Sequence, residues 1–75
     1  MTERRYLIVI EGDEGAGFSS YAPDLPGVAA TGATRAECER RMRDAVAFHV
    51  DGLREAGQEI PEPSPVTTAY VDVAA

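Results

Sequence analysis

The spacing of apolar positions changes at residue 34, and the segments on either side predict different structures. Residues 5–11, RYLIVIE, form an apolar run in which Tyr6, Ile8 and Ile10 share one side of an extended chain and Leu7 and Val9 the other. With both sides apolar, the pattern predicts a central strand. Residues 12–17, GDEGAG, suit a hairpin connection, and residues 18–22, FSSYA, alternate large with small or polar side chains as a returning strand does. Pro23 lacks an N–H and must end that strand. Residues 23–27, PDLPG, then reverse the chain, and residues 28–31, VAAT, read as a short third strand.

From Thr34 the period is helical. Thr34-Arg35-Ala36-Glu37 is a capping box, with the threonine oxygen accepting from the N–H three residues on and Glu37 reaching back to the N–H of the cap. Cys38, Met42, Ala45, Val46, His49, Leu53 and Ala56 recur at spacings of three and four, flanked by Phe48 and Val50, while Arg40, Arg43, Ala47, Asp51 and Arg54 take the opposite side. Gly57 is a natural stop, so the helix is expected to cover about 22 residues, roughly 33 Å. Residues 58–65, QEIPEPSP, carry three prolines and predict a stiff extended strap, and residues 67–73, TTAYVDV, alternate again as a fourth strand. The expected fold class is α+β, β-β-β-α-β, with strand order 3-2-1-4 and one long helix on one face of the sheet. The other face has no cover from this chain.

Size sharpens that last point. A domain of 75 residues sits near the length at which one core yields only about 3–5 kcal/mol of net stability. A single cysteine, Cys38, and a single histidine, His49, provide neither an internal disulfide nor a structural zinc site. Oligomerisation is the remaining common remedy, and a dimer or tetramer is expected to bury Ile8 and Ile10 of the two-faced strand together with His49, Val50 and Leu53 toward the far end of the helix. No apolar run is long enough to span a membrane and the N-terminus turns charged too soon for a signal peptide, so a cytoplasmic protein is expected. The formal net charge of −6 opposes contact with a phosphate backbone and favours a basic protein partner.

Reactive chemistry is sparse. His49 lies within the apolar helical stripe, where a core or interface histidine is the ordinary reading, and Cys38 reads as a small buried apolar residue. Glu11, Asp13 and Glu14 cluster at the hairpin but lack a convergent second group, so they read as a solvated loop rather than a cation site. The glycines of GDEGAG are followed by no strand-to-helix step and no lysine, which leaves them unlike a phosphate cradle. No cofactor is expected. The charged helix side reads as a solvated face with pairs such as Glu39 with Arg43.

PDLPG, then TGATRAE, an amphipathic helix ending in HVDGLREAG, and QEIPEPS follow one another in an order that resembles the HicB-like antitoxin family over residues 6–73. The resemblance implies a reduced ribonuclease-H-like topology without catalytic activity. It also implies a partner, a HicA-like toxin that cleaves mRNA through a double-stranded-RNA-binding-like fold, whose active-site region the antitoxin covers. An acidic domain suits a basic RNA-binding toxin. On this reading Tyr21, Asp24, Leu25 and Pro26, at the sharp connection between the second and third strands, are the expected partner contacts. Many members carry a C-terminal DNA-binding module, whereas this sequence stops just after the fourth expected strand; a single domain with no direct DNA binding is the expectation. Two other classes stay open: a nucleic-acid-binding or nuclease module on the same topology, for which the first strand offers only Glu11, and a stand-alone oligomeric binding protein.

Overall fold

A computed structural model describes residues 3–75, in which three antiparallel strands, β1 (Val9–Asp13), β2 (Gly17–Tyr21) and β3 (Ala29–Gly32), precede one helix, α1 (Arg35–Glu55). The sheet order is β1-β2-β3. In register, Val9 faces Tyr21, Ile10 faces Ser20, and Ser20 in turn faces Ala30. The α+β class and the three-strand meander agree with the sequence reading. The sheet has three strands rather than four, because residues 58–75 carry no regular secondary structure.

Strand limits follow from hydrogen-bond partners rather than from apolarity. The run at residues 5–11 predicts a strand over that whole span, yet β1 begins only at Val9, opposite Tyr21, the last residue of β2. Beyond Tyr21 the chain turns away at Pro23, so the segment before Val9 has no neighbour with which to pair. The hairpin between β1 and β2 is closed by Asp13, whose Oδ1 accepts from the N–H groups of Gly15 (2.9 Å) and Ala16 (2.8 Å).

The PDLPG connection is two successive turns. The N–H of Leu25 donates to the Ala22 carbonyl (3.1 Å) and that of Val28 to the Leu25 carbonyl (3.2 Å), which puts Pro23 and Pro26 at the second position of each turn, where a fixed φ is favoured. Gly27 follows Pro26 with φ +86°, the conformation a type II turn requires at its third position. The result is a plug. Leu25 is fully buried and, with Ala22, Val28 and Met42, forms the core, flanked by Tyr6, Ile8, Ala30, Ala45, Val46 and Val50.

Helix α1 starts and stops where its caps place it. Thr34 Oγ1 accepts from the Glu37 N–H (3.1 Å), and Glu37 Oε1 reaches back to the N–H of Ala33 (2.8 Å), one residue before the expected cap N–H. At the other end the N–H of Gly57 bonds the Arg54 carbonyl and that of Gln58 the Leu53 carbonyl, a Schellman closure. Gly32 lets the helix sit close: a Cβ there would lie 2.6 Å from the Cys38 nitrogen. Cys38 and Met42 are buried, whereas Ala45, Val46, His49, Val50 and Leu53 are half-buried and Ala56 is exposed. The far end of α1 thus passes beyond the sheet. Phe48, expected to flank the stripe, is instead 82% exposed; six residues past Met42 it lies about 240° around the helix.

The uncovered sheet face is more polar than the first strand suggests. Glu11, Asp13, Ser19 and Thr31 are exposed on it, and its apolar content is concentrated around Leu7, Val9 and Tyr21. Ser20, on the helix side, is buried and satisfied through its hydroxyl, which donates to the Ala30 carbonyl (3.2 Å).

Candidate functional site

The turn that plugs the core with Leu25 presents its remaining side chains outward. Tyr21 is 47% exposed at the end of β2, Pro23 and Pro26 are exposed, and Asp24 is half-buried beside them. Asp24 is held from a distance. Its Oδ2 accepts from the N–H of Ser64 (2.8 Å) and its Oδ1 from the Ser64 hydroxyl (2.7 Å). These bonds, the backbone one foremost, hold the Asp24 carboxyl below the usual aspartate range.

The strap after α1 is tied down at two further points. The Arg4 guanidinium donates to the carbonyls of Ile60 (2.7 Å) and Pro61 (3.3 Å) and approaches the Glu62 carboxylate (3.2 Å). The Tyr6 hydroxyl donates to the Pro61 carbonyl. Tyr21, Asp24 and Pro26 therefore stand on a braced ridge: a proline-rich turn on one side and a proline-rich strap on the other, joined by the Asp24–Ser64 pair. Three of the four expected partner contacts are available there. Leu25 is not, because its fully buried side chain belongs to the core.

Beside the strap lies a groove of about 880 Å³, lined by apolar Tyr6, Ile8, Val46, Val50 and Ile60 and by charged Arg4, Arg43 and Arg54. It brings together Ile8 and Val50 of the expected oligomer set, while Ile10, His49 and Leu53 are half-buried and are not among its lining residues. The solvated helix side is laced with ion pairs, Arg35–Glu39 and Glu39–Arg43 at 3.0 and 2.9 Å and Asp51–Arg54 at 2.9 Å. Hydrogen bonding from Arg43 holds the Glu39 carboxyl below its ordinary range, and the Ala33 N–H, with Arg41 nearby, does the same for Glu37.

Two of the residues singled out for reactivity, Cys38 and Asp13, have structural partners. Cys38 is buried with its sulfur 3.7 Å from the Ala30 carbonyl. Asp13 is engaged in the hairpin turn, and among the described residues no three His, Cys, Asp or Glu side chains converge as a metal site. The surface turn is instead tied by backbone hydrogen bonds within it and by the Asp24–Ser64 pair to the strap. Sequence reading overlooked the exposed apolar residues outside it, Phe48, Val66, Tyr70, Val71 and Val73. The helical angle of Phe48 was an available signal; the alternation at residues 67–73 carries none for the exposure of the others.

Comparison with known proteins gives this ridge a context. Residues 6–73 match the family described as HicB_like antitoxin of bacterial toxin-antitoxin system. The chain is 35% identical over 69 residues to Antitoxin HicB 1 of Photorhabdus laumondii, a match that covers 92% of this chain and 44% of that protein. It is also 32% identical over 50 residues to an uncharacterized 14.9 kDa protein from the rep-hol intergenic region of Haemophilus phage HP1, covering 67% of this chain and 38% of that one. The chain thus spans about two fifths of the length of the curated relatives it matches. No solved structure matches it significantly.

Proposed function

The chain belongs to the HicB-like antitoxin family of bacterial toxin–antitoxin systems, and on that premise we propose that it binds and neutralises a basic, HicA-like mRNA-cleaving toxin by covering the toxin's active-site region. The observation that carries the proposal is the family match, which runs through the strands, the PDLPG turn, the helix and the strap rather than through one motif. Charge supports it: thirteen acidic against seven basic residues repel an RNA backbone and attract the surface that binds one. The ridge supports it too. Tyr21, Asp24 and Pro26 sit on backbone fixed by two turns and a strap, so little ordering accompanies docking.

In this role the chain acts in the cytoplasm, as a non-catalytic inhibitor, and as a homo-oligomer. Amide hydrogen exchange on the chain alone and mixed with a purified HicA-family toxin from the same genome tests the contact surface. Protection gained at residues 21–26 and at the strap around Ser64 is the expected result. A mixture that leaves every amide of the chain unchanged would contradict the proposal.

A further inference from the structure

After Ser64 the chain leaves the fold. Val66, Val71 and Val73 are 50, 82 and 76% exposed and Tyr70 is completely so, although residues 67–73 alternate as a strand does. The molecule is correspondingly long, with a radius of gyration of 14.4 Å and a longest extent of 49 Å, against about 11 Å for the radius of a compact chain of this size. Both observations describe an arm, extended and apolar, that packs on nothing within its own molecule.

The sheet has a place for such an arm. β1 is paired with β2 on one side, and among the described residues no backbone hydrogen bond reaches it from the other. The opposite edge of the sheet is blunted, since the Arg41 guanidinium donates to the Thr31 carbonyl of β3 (3.2 Å). The β1 edge also has suitable surroundings on both faces. Tyr6 and Ile8 line the groove together with Val46 and Val50, and Leu7 and Val9 are half-buried on the other face. An added strand with Ala69, Val71 and Val73 on the groove side and Tyr70 on the other matches both.

The chain's own arm leaves the fold from the connection between β2 and β3. Ser64 is clamped to Asp24, and Asp24 lies in the connection between β2 and β3, the two strands on the far side of β1 from its open edge. Pro65 follows immediately and stiffens the exit. We propose that the arm at residues 67–73 pairs with the open β1 edge of a second copy of this chain, and that the exchange is reciprocal, making a two-fold dimer. An extended chain exposes roughly 160 Å² per residue, so the two arms together carry about 2,200 Å². Covering half of that, with an equal area of the receiving edges, buries about 2,200 Å², just above the 1,200–2,000 Å² typical of a stable interface. The proposal stands on the fold alone and is independent of the toxin.

Two measurements on the full chain test it. In sedimentation equilibrium across the micromolar range the chain is expected at twice the mass of one copy, and the double variant Tyr70→Pro/Val71→Pro, which removes an N–H from each side of the arm, at the mass of a single copy with its helical circular dichroism unchanged. In a mixture of ¹⁵N-labelled chain with unlabelled Thr68→Cys chain carrying a spin label, the amides of residues 7–11 of the labelled copy should broaden; Cys38, being buried, stays unmodified. A monomer throughout, a dimer that survives the double proline variant, or no broadening between copies would each overturn the exchange. The first of these with protected arm amides would mean that the arm closes on its own β1.

Discussion

Asp24 and Ser64, forty residues apart in the chain, are joined by two hydrogen bonds, one from the Ser64 N–H and one from its hydroxyl, at 2.8 and 2.7 Å. This pair ties the strap to the turn that plugs the core, and it decides where the last segment of the chain departs. Asp24→Asn retains an acceptor for one of the two bonds but loses the charge; Asp24→Ala loses both. Limited proteolysis should therefore cut the strap between residues 58 and 66 faster in Asp24→Ala than in the parent, with Asp24→Asn in between. Equal cutting in all three would show that Arg4 and Tyr6 hold the strap unaided.

The same pair has a pH signature. The Asp24 carboxyl is held below its ordinary value when folded, first by the Ser64 N–H. A depressed folded pKa means that its contribution is complete above the unfolded aspartate value, about 3.9, and is lost as pH falls through the lower folded value. Strap protection in hydrogen exchange should therefore be flat from neutral pH down to about 4 after correction for intrinsic rates, then decline. A decline centred on neutral pH would assign the strap to another group.

Leu25 carries the core more than its place in a turn suggests. Leu25→Ala removes a fully buried side chain and should cost about 2–5 kcal/mol, comparable with the whole stability of a domain of this size, about 3–5 kcal/mol. Urea unfolding should show the variant largely unfolded without denaturant. A midpoint close to the parent's would mean that the plug is dispensable.

Two glycines should respond to alanine for different reasons. At Gly27 a Cβ meets nothing within 4 Å but the φ of +86° is unfavourable, so Gly27→Ala should cost about 1–2 kcal/mol and Gly27→Asn less. At Gly32 the Cβ would meet the Cys38 nitrogen at 2.6 Å, which forces α1 away from β3 and should cost about 1–3 kcal/mol. Thermal unfolding distinguishes them: asparagine rescues the first position only.

What the sequence made legible was whatever is decided locally. The helix was readable to within a residue at both ends, because Thr34, Glu37 and Gly57 satisfy its terminal groups over three or four positions. Pro23, Pro26 and Gly27 likewise announced a tight connection. The extent of β1 was not readable, since Val9 rather than Arg5 is the first residue with a partner opposite it. Nor was the burial of Leu25, which depends on a helix passing over the turn. The fourth strand failed for a related reason: alternation at residues 67–73 says that the segment suits an edge but not whose edge it meets. Of the expected contact residues, Tyr21, Asp24 and Pro26 lie together, whereas the Ser64 that steadies them is invisible to any reading over short spacings.

Toxin association should be steered by charge. With a net charge of −6 on this chain, the association rate with a basic toxin should fall steeply as salt screens the approach, while Tyr21→Ala should act mainly on dissociation. Stopped-flow mixing at low and high ionic strength separates the two; a salt-independent rate would remove the electrostatic argument for a basic partner.

Neutralisation itself is tested most directly by titrating the chain into a HicA-family toxin from the same genome while following cleavage of a defined RNA. Cleavage is expected to fall in proportion to added chain and to vanish near stoichiometric amounts, with the chain alone leaving the RNA intact. Undiminished cleavage in the presence of a large excess of folded chain would contradict the antitoxin role.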